Sequence, residues 1–141
     1  MPKIRFTVSY DGTDYCGWQR QNHGRVPSIC QTIEKALSRV FNENISVFSS
    51  GRTDAGVHAL NQVCHFTTTK EIRKNWDLCW AVNAYLPKAI VLKDAWIAPD
   101  RFHATRSPTH KTYRYWILNR YRPSPSLARY SHWIRQPVNM D

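Results

Sequence analysis

Several absences bound this chain before any motif is read. Its four cysteines, Cys16, Cys30, Cys64 and Cys79, form no Cys-x-x-Cys pair, and its six histidines show no metal-ligand spacing. Both patterns weigh against a zinc ribbon. No apolar run approaches the length needed to cross a bilayer. The stretch Lys3–Tyr10 alternates apolar and polar residues, which is too polar and too short for a secretory signal. Unpaired thiols without such a signal fit a reducing compartment, so the expected location is the cytoplasm. There is no lysine tail, no internal repeat and no low-complexity block. Acidic residues are scarce: ten Asp and Glu stand against twenty Lys and Arg, a formal charge of +10. That excess attracts polyanions, of which nucleic acid is the commonest large one, the plain alternative being a basic but inert surface.

What is present suits one globular domain. The 141 residues are enough to bury a core, and 42% hydrophobic against 21% charged residues is ordinary for a soluble fold. Arginine outnumbers lysine and recurs in predicted loops and strand ends, where its planar fork suits phosphates and stacked bases. Ile4, Phe6, Val8 and Tyr10 share one face of a half-buried strand. A polar, aromatic loop over 11–27 follows. Ser28 with Gln31 reads as a capping box, opening a helix whose apolar stripe is Ile29, Ile33, Ala36, Leu37, Val40 and Phe41. Strands are predicted over 45–50, 62–69 and 89–97. A second helix is predicted over 71–86, with Ile72, Trp76, Cys79, Trp80 and Asn83 on one stripe and both tryptophans in the core.

The resulting order is β-α-β-β-α-β, a ferredoxin-like split βαβ fold of the α+β class. Its antiparallel sheet has two helices on one face and an open second face. A further strand is predicted over 111–119, with Tyr113, Tyr115 and Ile117 on one face. Residues 120–130 read as a proline- and serine-rich connection, and the tail after them holds no element long enough to close a fold. The domain is therefore drawn over 1–122, with 123–141 a connection toward a further unit. A bare sheet edge is an aggregation hazard, so either a second copy or a longer chain is expected to cover it.

The densest chemistry lies in "SSGRTDAGVHAL", from Ser49 to Leu60. Gly51 permits a sharp bend, Asp54 sits on a short turn, and Gly56 permits close backbone approach. Arg52 lies close enough to pair with Asp54 if the turn is tight. A neighbouring guanidinium favours the ionised carboxylate, which can act as a nucleophile or take a proton. The bland reading is an Asx-turn with a surface ion pair worth at most about 1 kcal/mol. An RNA-recognition module shares this topology and is the alternative, as a non-catalytic RNA binder. Its third-strand signature is absent from "QVCHFTTT".

The run "GRTDAGVHALNQVCHF" closely resembles the signature of the TruA family of tRNA pseudouridine synthases. "YDGTDYCGWQRQ", "VNAYLP", "RFHATRS" and "KTYRYWI" follow the family's order, and the resemblance covers residues 3 to 122. It implies conversion of uridine to pseudouridine at adjacent positions of the tRNA anticodon stem-loop. It implies that Asp54 is the catalytic aspartate, that Arg52 pairs with it and helps hold the displaced nucleotide, and that Tyr113 stacks on the target base. Phe102, His103, Ala104, Thr105 and Arg106 match the stretch that assists base flipping. The family usually has arginine directly after Phe-His-Ala; here Thr105 stands there and Arg106 follows, one position along.

Trp18, Gln19 and Arg20 lie on a loop within reach of RNA, with a packing role the alternative for Trp18. His58 is expected to cap or pack locally. The isomerisation involves no redox change and no added group, so no cofactor is expected. The carboxylate can attack the sugar, attack the ring or take a sugar proton, and the sequence does not choose among these. The resemblance further implies a homodimer and a second α/β half that completes the cleft. The 141-residue chain alone is expected to turn over weakly or not at all.

Overall fold

The strand β1, Lys3–Tyr10, lies at the centre of a four-stranded sheet. Chain order in the computed structural model is β1, α1 (Ile29–Phe41), β2 (Phe48–Ser49), β3 (Ala59–Thr67), α2 (Leu78–Asn83) and β4 (Ile90–Ala98). The structure describes residues 1–21, 26–72 and 76–140. Part of the expected loop and part of the expected second helix, residues 22–25 and 73–75, therefore lie outside the described residues. The sheet order is β2-β3-β1-β4 and every pairing is antiparallel. This is the α+β, ferredoxin-like split βαβ arrangement. Among the described residues, no helix is long and apolar enough to cross a membrane.

Alternation in β1 sends Ile4, Phe6, Val8 and Tyr10 into the core. They meet Cys64 and Phe66 of β3, Ile90 and Leu92 of β4, and Ile29, Ile33, Leu37 and Phe41 of α1. Each fully buried aliphatic or aromatic side chain contributes about 1.5–3 kcal/mol, so this cluster dominates stability. Helix α1 starts where the capping pattern places it: the Gln31 amide donates to Ser28 Oγ at 3.1 Å. It ends at Asn42, whose φ of +51° is the left-handed cap that asparagine tolerates.

Several elements are shorter than the sequence suggests. Only Phe48 and Ser49 join the ladder, although Ile45 and Val47 are buried. Their amides go to α1 side chains instead, Ile45 to Ser38 Oγ (3.0 Å) and Val47 to Glu34 Oε1 (3.0 Å). Helix α2 spans six residues, capped by Asp77, which accepts the Trp80 amide at 2.9 Å. That late start turns Leu78 and Val82 inward and corrects the placing of Trp80, which is 75% exposed. Trp76 packs against the core from outside the helix, edge-on to Phe41 at 5.4 Å.

The second sheet face, expected to be open, is partly covered. Arg5 pairs in register with His65 and Trp96 on that face, and its guanidinium lies 4.1 Å over the Trp96 ring. The segment after β4 folds onto it: Lys3 Nζ donates to the carbonyls of Asp100 and Phe102, and Ala104 is fully buried.

The chain divides into two units, Met1–Pro108 and Thr109–Asp141. In the second, β5 (Ile117–Asn119) pairs in parallel with β6 (His132–Ile134). Only the end of the expected strand over 111–119 is thus in a ladder, and the tail supplies the partner. Parallel pairing requires a crossover of about a dozen residues, which the proline- and serine-rich connection provides. Trp133 Nε1 donates to the Arg120 carbonyl at 2.8 Å, and Arg135 stacks on Tyr121 at 4.3 Å.

Candidate active site

The backbone around Asp54 is pinned from several sides. The Ser50 amide donates to the Val63 carbonyl at 2.8 Å. The Gly51 carbonyl accepts from Ser49 Oγ (2.7 Å) and Gln62 Nε2 (2.9 Å). Thr53 turns inward, with Oγ1 2.8 Å from the Tyr10 hydroxyl, and its carbonyl accepts the Trp18 amide at 2.9 Å. Burial pushes the Tyr10 phenol up to about 12, against the pull of the Thr53 hydrogen bond, so it stays protonated. Val57 N–H donates back to the Asp54 carbonyl at 3.2 Å, closing a turn in which Gly56 takes φ +79°.

Two glycines let the loop after β1 press against this turn. A Cβ on Gly12 would fall 2.0 Å from the Val57 carbonyl oxygen, and one on Gly17 would fall 2.6 Å from that of Thr53. Trp18 is 2% exposed and packs near Tyr10, ring centroids 6.0 Å apart. It is a core residue that braces the turn. His58 acts locally, its Nδ1 lying 3.2 Å from the Gly12 amide and 3.1 Å from Asp11 Oδ1.

With Thr53 directed inward, Arg52 and Asp54 on either side of it are exposed. Among the described residues, neither side chain makes a hydrogen bond or ion pair, and the expected Arg52–Asp54 pair is not formed. An exposed pair gains at most about 1 kcal/mol and must immobilise two side chains to do so. The Asp54 carboxylate therefore faces solvent on a fixed backbone. Beside it, Thr13, Asp14, Tyr15, Cys16, Val26 and Ala55 line a shallow depression of about 470 Å³.

The 102–106 loop lies beside the same turn. Thr105 Oγ1 donates to the Ser49 carbonyl at 2.8 Å, two residues before Gly51. The Ala104 amide donates to His65 Nδ1 at 3.1 Å.

Residues 7–105 match the profile of the family described as tRNA pseudouridine synthase. The chain belongs to that family. It is 62% identical over 141 residues to tRNA pseudouridine synthase A of Bdellovibrio bacteriovorus, covering 99% of this chain and 54% of that protein. It is 48% identical over 140 residues to proteins of the same name from Salmonella paratyphi B and Salmonella newport, covering 99% of this chain and 50% of each. The chain thus spans about half the length of the curated relatives it matches.

The residues expected to serve the site fall into four groups. Asp54, Arg52, Thr105 and Arg106 are exposed, and Thr105 is bonded to the strand that leads into the turn. Phe102 and His103 are half-buried and Ala104 is sealed, and these three anchor the loop. Gln19 is exposed, whereas Arg20 is tied to Glu34 of α1 at 2.8 Å. Tyr113 belongs to the second unit and is 68% exposed. Tyr10, Gly12, Gly17 and His65 escaped the sequence reading as site residues. The two glycines carry a signal, flanking a loop next to a glycine-bearing turn, but their partners lie some forty residues away. Burial raises the thiols of Cys30 (about 12) and Cys79 (about 11), and that of Cys64 well above its ordinary value. These thiols are poor nucleophiles at neutral pH.

His65 is 3% exposed, and burial, then the nearby His103 and Lys3, push its imidazole from 6.5 down to about 4. The charged and titratable groups facing it are Lys3 and Arg5 of β1 and His103 of the loop. Because the folded value is depressed, the unfolded chain takes up this proton first as pH falls. Stability is full above 6.5 and is lost progressively toward pH 4. A shift of this size corresponds to roughly 3 kcal/mol. The urea midpoint is expected to fall between pH 7 and 4.5, and His65→Asn to flatten that dependence. An unchanged slope in the variant contradicts the assignment.

Proposed function

We propose that this chain is the amino-terminal catalytic part of an enzyme that isomerises uridine to pseudouridine in the anticodon stem-loop of tRNA. Residues 1–122 form its catalytic domain, and 123–141 lead toward a second α/β half that supplies the far wall of the cleft. Asp54 is the catalytic residue. The observation that carries this reading is its solvent-facing carboxylate on a backbone held by Tyr10, Trp18 and Gln62.

The target base is stacked in its stem and must be everted, at roughly a few kcal/mol. Arg52, released from any pair with Asp54, is positioned to grip the displaced nucleotide. The 102–106 loop supports the everted state through Thr105 and Arg106, and Tyr113 stacks on the base, a contact of about 1–3 kcal/mol. Gln19 and Arg20 meet the RNA at the rim. The net charge of +10 grips phosphates without reading sequence. In the isomerisation the bond from C1′ to N1 breaks, uracil turns, C1′ bonds to C5, the C5 proton leaves, and N1 takes up a proton. Electrons balance without an oxidant, so no cofactor is needed. Four free thiols and a tRNA substrate fit a cytoplasmic enzyme, which acts as a homodimer.

The alternative of bases stacked on the free sheet face is less well supported. His65 and Arg5 on that face are already engaged by the 102–106 loop and Trp96. The test uses a chimaera in which residues 1–141 replace the matching segment of the Bdellovibrio bacteriovorus relative. Nucleosides released from treated tRNA transcripts should contain pseudouridine only in the anticodon stem-loop fragment. Pseudouridine confined to another fragment, or none in any, overturns the reading.

A further inference from the structure

His65 stands on β3, two strands from the edge β4 and away from the Asp54 turn in sequence, yet three of the contacts that hold the 102–106 loop converge on it. Its ring stacks on Phe48 at 5.0 Å, meets His103 edge-on at 4.7 Å and Phe102 edge-on at 5.9 Å. Its Nδ1 accepts the Ala104 amide at 3.1 Å, in a fully buried setting. One residue further, Thr105 Oγ1 reaches the Ser49 carbonyl at 2.8 Å. Ser49 in turn donates through Oγ to the Gly51 carbonyl. A continuous set of bonds therefore runs from His65 through Ala104 and Thr105 to the backbone that opens the turn.

We propose that His65 is a positioning residue, whose Nδ1 holds the loop so that Thr105 and Arg106 stand beside the approach to Asp54. The proposal deepens the pseudouridine synthase reading and rests on it for its catalytic consequence. Thr105 ties the loop to Ser49, while Arg106 supplies an exposed cation one position along. The ring also has to act as an acceptor at Nδ1, which only the neutral imidazole with its proton on Nε2 can do.

Two substitutions separate the acceptor from the ring. His65→Asn places an amide oxygen near the position of Nδ1. His65→Phe keeps a flat ring against Phe48 and removes the acceptor. In the 141-residue chain, amide hydrogen exchange at Ala104 is expected to stay slow in His65→Asn. In His65→Phe it should accelerate about 10-fold or more, because a buried amide has lost its partner. The Phe66 amide in the β3 ladder is the internal control. In the chimaera, His65→Phe is expected to lower the single-turnover rate about 30-fold at unchanged tRNA affinity, and His65→Asn to stay within about 3-fold of the parent. Thr105→Val, at an exposed position, should lower the rate in the same direction even if His65→Phe folds poorly. Equal losses in the Asn and Phe variants, or slow Ala104 exchange in both, overturn the proposal. An inactive parent chimaera would instead refute the functional reading and leave the exchange result to judge the anchor.

Discussion

Gly17→Ala is expected to lower the single-turnover rate of the chimaera by about 100-fold, since displacement of a catalytic group by about 1 Å has that effect. Gly17 takes φ +98°, a conformation an L side chain adopts only with strain. Its added Cβ would lie 2.6 Å from the Thr53 carbonyl oxygen, 3.0 Å from the Asp54 carbonyl carbon and 3.1 Å from the Ala55 amide nitrogen. All three atoms are backbone, so the collision cannot be relieved by a side-chain rotation. To bring the 2.6 Å contact to 3.4 Å the turn must retreat by about 0.8 Å and carry Asp54 with it. Left-handed strain adds a stability cost of about 1–2 kcal/mol. Gly56→Ala separates the two effects. Gly56 has φ +79° but nothing within 4 Å of its would-be Cβ, so that variant should lose similar stability and much less rate. A Gly17→Ala enzyme that turns over like its parent would show that the loop after β1 does not set the position of Asp54.

The parts of this molecule legible in its sequence are those decided locally. Ser28, Gln31 and Asn42 mark the ends of α1 because caps are made within a few residues. The alternation of Ile4, Phe6, Val8 and Tyr10 identifies a strand with one buried face. Asp54 was visible for the same reason, as an acid among turn-forming glycines. What escaped depends on distant partners. Residues 45–47 have strand composition, but Ser38 and Glu34 of α1 take the amides a neighbouring strand would have used. Trp80 has helical spacing from Trp76, yet α2 begins only after Asp77, which breaks their shared stripe. His65 reads as an ordinary residue of an alternating strand, and its bond to Ala104 spans 39 positions. Proximity in sequence suggests an Arg52–Asp54 pair, but Thr53 turns inward between them and both side chains face solvent.

Asp54→Asn carries the largest expected effect. The substitution keeps the shape of the side chain and removes its charge. Because the carboxylate makes no intramolecular hydrogen bond among the described residues, the change should alter stability by no more than about 0.5 kcal/mol. Turn geometry, and with it the placement of Arg52 and Thr105, should persist. Binding of tRNA, which draws on distributed positive charge, should remain within about 3-fold of the parent. The chemical step loses the carboxylate proposed for it, whether that group attacks the sugar, attacks the ring or takes a proton, and such groups supply about 10³-fold or more. The decisive measurement is tritium release from tRNA labelled at uridine C5, read alongside tRNA affinity for the parent and Asp54→Asn chimaeras. The prediction is intact binding with release reduced at least about 10³-fold; release within about tenfold of the parent, at equal affinity, would contradict the assignment of the chemistry to Asp54.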